Sequence, residues 1–124
     1  LVAGRPKGPD RDAIDAAVAD YEAMAKQSRV LAESYAVEHD IALVHIPSSS
    51  PKFDKTELLL LGQERATVSV VVEAGNVSIA AQFDSGLNFV DLLDLGGGMP
   101  TRVSVPEKRL EESLRRIRAV LAGR

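Results

Sequence analysis

The sequence predicts an α+β domain: an N-terminal helix, an antiparallel β-meander of about four to five strands, and a C-terminal helix packed on one sheet face. Two observations lead to this prediction. Residues 66–83 alternate between apolar and polar side chains on either side of a potential tight turn, which is the pattern of a β-hairpin. Apolar residues near both ends of the chain recur at spacings of three and four, which is the pattern of an amphipathic helix.

Length and composition favour one domain. The chain has 124 residues, of which 45% are hydrophobic, and this is enough for a single core. Residues 1–9 contain two prolines and two glycines, so we expect a flexible tail there and a single α+β domain over residues 10–124. The chain contains no cysteine, which excludes disulfides and thiol catalysis and favours a cytoplasmic location. The sequence leaves open whether the chain is a fragment of a longer protein.

The first helix is predicted to start at Asp10 or Asp12 and to end near His39. Its apolar stripe begins at Ile14 and ends at Tyr35. Such a helix would be roughly 40 Å long, which is more than a small sheet needs as cover. We therefore expect it to bend or to have one end covered by another chain, and we expect any homodimer to form through this helix or a strand edge.

The first strand and the hairpin follow from apolar patterning. Residues 41–46 form a continuous apolar run, which predicts a strand buried on both faces. A two-residue turn at Gly75-Asn76 pairs the arms of the hairpin so that Val70 lies opposite Ala81. One face of this hairpin is expected to be buried and the other mostly wet, so both terminal helices are expected on the apolar face.

Residues 53–62 have two interpretations. Asp54 and Glu57 have the spacing of a capping box, which predicts a helix over residues 55–61 with Gly62 as its C-cap. The alternative is a strand that leads into the hairpin. The sequence does not decide between helix and strand.

A further strand is predicted after the hairpin. Residues 84–86 form a turn with glycine last, which is expected to be left-handed and to lead into a strand beginning at Leu87. In that register Phe83 and Phe89 lie on the buried face. Residues 91–95 then form either a bulged strand or one helical turn.

The last helix is predicted to begin at a second capping box, formed by Ser104 and Glu107. The three glycines at residues 96–98 precede it, but they match neither the dinucleotide nor the P-loop phosphate fingerprint. Because the cap at Ser104 comes six positions after the last glycine, we interpret them as a flexible connector. The apolar stripe of this helix consists of Leu110, Leu114, Ile117 and Leu121.

No catalytic, cofactor-binding or metal-binding residue is predicted. His39 and His45 have no second nitrogen ligand at a metal-site spacing, so both are interpreted as structural, with His45 in the buried strand. Asp84, Asp91 and Asp94 lack the pattern of a calcium loop and are interpreted as turn and surface residues.

Positive charge is concentrated at the C-terminal end and in the tail. Residues 101–124 hold seven basic and three acidic side chains, whereas residues 54–100 hold two basic and seven acidic ones. Residues 4–7, Gly-Arg-Pro-Lys, resemble the core of an AT-hook, and this resemblance implies binding to the minor groove of A·T-rich DNA. The candidate nucleic-acid-binding residues are Arg5, Lys7, Arg115, Arg116 and Arg118.

Three functions are compatible with these features. The leading hypothesis is a non-enzymatic protein-interaction domain, such as an adaptor, chaperone or immunity-type module, whose partner is a protein or a second copy of itself. The first alternative is a nucleic-acid-associated protein that uses the basic tail and the last helix. The second is an enzyme subunit whose site is completed by a partner. No cofactor is expected. No membrane association is expected either, because no apolar run approaches the roughly 20 residues that a membrane-spanning helix needs.

Overall fold

Helices cover both faces of a five-stranded sheet, which confirms the predicted α+β class. The computed structural model of the protein describes residues 9–124. Its elements in chain order are α1 (Pro9–Ala32), β1 (Ala36–Glu38), β2 (Ile41–His45), α2 (Lys55–Gln63), β3 (Val68–Glu73), β4 (Asn76–Ala81), α3 (Phe89–Leu92), β5 (Arg102–Pro106), a 3-10 turn (Glu107–Arg109) and α4 (Leu110–Ala122).

The strands lie in the order β1-β2-β3-β4-β5, so each strand pairs with the one before it in the chain. All the pairs are antiparallel except β2 and β3, which run parallel. A parallel pair needs a crossover that returns the chain to the same end of the sheet, and α2 supplies it. The predicted all-antiparallel meander is therefore wrong at this pair, because residues 53–62 form a helix.

Both faces of the three central strands, β2, β3 and β4, are largely buried, which corrects the prediction of one wet face. The predicted apolar row, which includes Val70, packs under α3 and α4. The opposite face packs under α2 and the end of α1, and it buries Ser69, Val71 and Ala80. The Ser69 hydroxyl donates a 2.8 Å hydrogen bond to the carbonyl oxygen of Leu59, which satisfies this buried polar group. The terminal helices thus lie on opposite faces rather than on one.

The hairpin between β3 and β4 turns at Ala74-Gly75, one residue earlier than predicted. These two residues have φ values of 50° and 82°, the left-handed pair that a type I′ turn requires. Val70 consequently lies opposite Ile79 rather than Ala81. Because the pairing differs by an even number of residues, every side chain of β3 and β4 keeps its predicted face.

The chain leaves the sheet after β4, so the predicted strand from Leu87 is wrong. Phe83, which was expected in the core, is 93% exposed, whereas Phe89 is fully buried at the start of α3. Of the two alternatives for residues 91–95, the bulged strand is wrong, and a helical turn is present but lies earlier, at Phe89–Leu92. The Asn88 side chain caps this turn by accepting a 3.2 Å hydrogen bond from the backbone N–H of Asp91.

The predicted capping box at Ser104 and Glu107 is also wrong. Ser104 lies within β5, which pairs with β4, and α4 starts only after the 3-10 turn. The apolar stripe of the last helix is confirmed. Ile117 is fully buried, and Leu110, Leu114 and Leu121 pack partly buried against the same core.

Only the C-terminal end of α1 packs on the domain. Ser28 and Leu31 are buried, whereas the side chains of residues 11–23 are all exposed. The Ser28 hydroxyl accepts a 2.8 Å hydrogen bond from the backbone N–H of Asp54, which ties the end of α1 to the start of α2. The helix ends well before the predicted His39. The predicted overhanging end is present, and its cover by another chain stays a prediction.

The helical alternative for residues 53–62 is confirmed. The Asp54 carboxylate accepts a 3.1 Å hydrogen bond from the backbone N–H of Glu57, as the capping box predicts. The predicted C-cap at Gly62 is wrong, because Glu64 caps the helix. Gly62 is instead a buried residue at the closest approach of α2 to the sheet.

The predicted tail lies largely outside the described residues. Arg5, Lys7 and the segment that resembles an AT-hook all fall within residues 1–8, which the structure does not describe. The backbone of α1 begins at Pro9, so the predicted caps Asp10 and Asp12 lie inside the helix. None of the helices between residues 9 and 124 has the length and apolar character needed to cross a membrane. The cytoplasmic location stays a prediction.

The turn between β1 and β2 makes a contact that acid should weaken. His39 and Asp40 both have left-handed φ values, 53° and 63°. The Asp40 carboxylate accepts hydrogen bonds from the hydroxyl of Thr67 and, at 3.0 Å, from its backbone N–H. The hydrogen bond from the Thr67 hydroxyl, and after it the bond from the Thr67 backbone N–H, hold the pKa of Asp40 below its ordinary value.

We expect Asp40→Asn to flatten the acid limb of the stability curve. A carboxyl group with a lowered pKa stabilises the fold above its unfolded pKa of about 3.9, and the effect is lost as the pH falls through the folded value. Asparagine removes this titration while tolerating a left-handed φ. Urea unfolding midpoints at stepped pH values between about 6 and 2.5 should fall more steeply for the wild type. Parallel curves would show that the contact contributes nothing.

Candidate functional site

A cleft beside the edge strand β5 brings cationic side chains, hydroxyl groups and a glycine-rich loop together. We call it the glycine-loop cleft. It has a volume of about 660 Å³ and lies between the first turn of α2 and the loop that joins α3 to β5. The residues that line it are Lys55, Ser78, Leu95, Gly96, Gly97, Gly98, Met99, Arg102, Val103 and Ser104.

Hydrogen bonds hold the glycine loop at both ends. The backbone N–H of Leu95 donates to the carbonyl oxygen of Val90 at 2.8 Å, and the N–H of Phe89 donates to that of Pro100 at 2.7 Å. Because Phe89 is fully buried, α3 forms a fixed base for the loop. Between these anchors residues 96–98 are exposed, and a Cβ atom added at Gly96 or Gly97 would meet no atom within 4 Å. The backbone of the loop is therefore open to a ligand.

Two cations from different elements reach the cleft. Lys55 is the first residue of α2, and its Nζ lies 3.2 Å from Oε1 of Glu73, with 33% of the lysine side chain exposed. Arg102 is the first residue of β5, and its Nη1 donates a 2.9 Å hydrogen bond to the hydroxyl of Thr56. Within residues 11–124 no carboxylate forms an ion pair with Arg102. The charge of Arg102 is thus available to an anion.

Hydroxyl groups add to this set of donors. Ser78 and Ser104 are cross-strand partners on β4 and β5, and their side chains share the sheet face that α2 covers. A guanidinium, an ammonium, serine hydroxyls and exposed backbone are together the groups that bind phosphate in proteins. In the described part of the chain, no three His, Cys, Asp or Glu side chains lie close enough together to hold a metal ion.

The three arginines that the sequence singled out on α4 lie away from this cleft. Arg115 and Arg118 are exposed on the helix, which packs on the opposite face of the sheet. Arg116 is engaged: its Nη1 donates to the carbonyl oxygen of Leu92 at 3.1 Å and lies 3.0 Å from a carboxylate oxygen of Asp94. Arg116 is therefore only partly exposed, and it ties α4 to α3. A nucleic-acid surface on this helix stays a prediction.

His45, which was expected in a buried strand, is exposed at the end of β2, and His39 is exposed in the β1–β2 turn. Neither lines the glycine-loop cleft.

Sequence reasoning missed Lys55, Ser78, Arg102 and Ser104, because they belong to three elements that meet only in the fold. The three glycines were judged by their distance from a predicted helix start. In the structure a strand, β5, follows them instead. The sequence signal that could have indicated this cleft was Arg102, which lies four positions after the last of the three glycines.

Comparison with solved structures finds proteins of similar fold. No protein-family model matches the chain, and no curated protein matches it in sequence. The fold is similar to that of a pGpG-specific phosphodiesterase from Vibrio cholerae, with a TM-score of 0.61 over 94% of this chain and 13% identity. A crystal structure of the exonuclease RecJ bound to manganese has a TM-score of 0.47 at 18% identity, over 84% of this chain and 28% of that one. This chain spans 44% of the phosphodiesterase, less than half its length.

The hypothesis of a non-enzymatic protein-interaction domain is wrong in the light of this fold. It depended on the order helix, sheet, helix, read as typical of small binding modules. The likeness to the phosphodiesterase shows the same architecture within a nucleotide-processing enzyme. The order of elements is therefore not specific to binding modules.

Proposed function

We propose that this chain is the nucleotide-binding domain of a phosphodiesterase-type enzyme that acts on nucleotides. The glycine-loop cleft is the observation that carries the proposal, since it offers phosphate-binding groups within a fold similar to that of a pGpG-specific phosphodiesterase. Because the chain spans 44% of that protein, we assign it substrate binding rather than the whole reaction.

Arg102 is the principal phosphate ligand in this proposal. Its hydrogen bond to Thr56 uses one N–H of the guanidinium and fixes the side chain against α2. The other N–H groups make no hydrogen bond within the described residues, so they can form the two-pronged contact that suits a phosphate. A side chain held in place before binding loses less conformational entropy when the ligand arrives.

Lys55 supplies the second charge. Its ion pair with Glu73 keeps the ammonium oriented while the cleft is empty. The two cations and Glu73 together leave one net positive charge at the mouth of the cleft. A phosphate monoester carries about −1.5 to −2 charges at neutral pH, so its arrival is favoured electrostatically.

We expect Arg102→Ala to weaken the binding of pGpG by about tenfold or more. A hydrogen bond to a charged group contributes about 1.5–3 kcal/mol, and about 1.4 kcal/mol corresponds to a factor of ten in affinity. The measurement is an NMR titration of the isotope-labelled chain with pGpG at fixed ionic strength. Chemical-shift changes in the wild type should include the amides of Gly96, Gly97 and Gly98.

The matched control is Arg118→Ala, which removes an exposed arginine from the opposite face of the sheet and should leave the affinity unchanged. Equal losses in both variants would show that the nucleotide responds only to overall positive charge. No binding by the wild type at millimolar pGpG, or full binding by Arg102→Ala, would refute the proposal.

A further inference from the structure

An apolar groove is lined by residues of α2, the helix whose first residue also lines the glycine-loop cleft. It has a volume of about 490 Å³. Leu60 and Phe83 form its walls, and polar side chains, among them Glu57, Glu64 and Gln82, form its rim. We call it the Phe83 groove.

Phe83 is exposed in a way that the fold does not explain. Its exposed fraction is 93%, and Leu60 on the other wall is 55% exposed. The backbone that carries the ring is nevertheless held, because the N–H of Ala81 donates to the carbonyl oxygen of Thr101 at 2.9 Å and the N–H of Ser85 donates to that of Gln82 at 3.0 Å. An aromatic ring presented on a held turn beside a second apolar side chain is typical of a ligand-binding groove.

The groove and the cleft share the first turn of α2. Lys55 lines the cleft, Thr56 holds Arg102, and Glu57 lines the groove. From Lys55 to Leu60 the helix rises by about 7.5 Å. Lys55 of the cleft and Leu60 of the groove are thus separated along the helix axis by about the length of one nucleotide.

The charges of the two cavities differ in sign. The cleft carries Lys55 and Arg102, whereas Glu64 stands at the rim of the groove together with Glu57, whose carboxylate lies 3.8 Å from the guanidinium of Arg29. An anion is therefore repelled from the groove and attracted to the cleft. A neutral planar group with N–H donors at its edge suits the groove, since its face can stack on Phe83 and its edge can donate to a carboxylate.

We infer that the Phe83 groove binds the nucleobase of the nucleotide whose phosphate occupies the glycine-loop cleft. This inference rests on the proposed function and extends it to the orientation of the substrate. The base stacks on the ring of Phe83 with Leu60 on the other side. A purine is favoured over a pyrimidine because it offers the larger face, and guanine is favoured among purines because its N1 and N2 groups donate to a rim carboxylate.

The test compares guanosine 5′-monophosphate with ribose 5-phosphate, which has the same sugar and phosphate but no base. By NMR titration the wild type should bind the nucleotide more tightly. Phe83→Ala should weaken nucleotide binding by about tenfold, the value expected when one base loses its aromatic stacking partner, and should leave ribose 5-phosphate unaffected. Tyr21→Ala is the control, because it removes another exposed aromatic ring from the overhanging end of α1, and it should change neither affinity.

The outcomes separate this inference from the proposed function. If both probes bind the wild type and Phe83→Ala keeps full affinity for the nucleotide, the base does not bind in the groove. The inference is then wrong, but the proposed function is not affected. Equal weakening of both probes would mean that Phe83 acts on the cleft itself, which also overturns the inference. If neither probe binds the wild type at millimolar concentration, the inference and the proposed function fail together.

Discussion

Phe89→Ala should lower the free energy of unfolding by about 3–5 kcal/mol, the range found when a buried phenylalanine is cut back to alanine. Phe89 is fully buried in the core between the sheet and α3 and α4. Its truncation removes apolar contacts and leaves a cavity under the glycine loop, which α3 supports. Urea unfolding followed by circular dichroism measures the loss.

Phe83→Ala is the matched control for this truncation. The same atoms are removed from a ring that is 93% exposed, so the free energy of unfolding should change by less than about 0.5 kcal/mol. Comparable losses in the two variants would mean that Phe83 packs in the core, as the sequence pattern predicted. The pair also prepares the binding test, since a stable Phe83→Ala protein shows that any loss of nucleotide affinity is local.

Gly62→Val should cost about 3 kcal/mol of stability, near the upper end for overpacking a core. A Cβ atom at Gly62 would lie 2.6 Å from Cβ of Ser69 and 2.8 Å from Cζ of Tyr35. Tyr35 cannot move aside freely, because its hydroxyl donates a 2.6 Å hydrogen bond to the carbonyl oxygen of Leu58. Relief of the clash must therefore push α2 away from the sheet.

The control is Gly96→Val, where an added Cβ atom meets nothing within 4 Å, and its stability should stay within about 0.5 kcal/mol of the wild type. Thermal unfolding of both variants makes the comparison. Equal stability of the two would show that α2 does not approach the sheet as closely as the structure has it. A displaced α2 would also carry Lys55 and Thr56 with it, so we expect Gly62→Val to weaken nucleotide binding as well.

The hairpin and the capping box show what local sequence can predict. The faces of β3 and β4 follow from their alternating side chains, although the turn lies at Ala74-Gly75 rather than one residue later. A tight turn at an alanine with left-handed φ is difficult to foresee, because that conformation is strained for a residue with a Cβ atom. The cap at Asp54 is likewise local, since it needs only a side chain and an N–H three residues further on.

The burial of the second sheet face could not be predicted from the hairpin alone. Its row contains Ser69 and Ser78 beside Val71 and Ala80, and such a mixed row is typical of a wet face. It is buried because α2 joins β2 to β3 as a crossover and therefore has to lie on the sheet. That arrangement depends on a parallel pairing between segments separated by the helix, which no local pattern encodes.

The sequence by itself determined the helical stripe of α4 and the alternating faces of the hairpin, and it offered the cap of α2 as one of two alternatives, because each depends on residues a few positions apart. Tertiary structure alone decided which phenylalanine is buried, which face each helix covers and which residues form the site. Lys55, Ser78 and Arg102 come from three elements and line one cleft, whereas Phe83 follows β4 and lines a separate groove. A site assembled from such distant segments depends on the path of the whole chain, and a single sequence contains no local pattern that reports it.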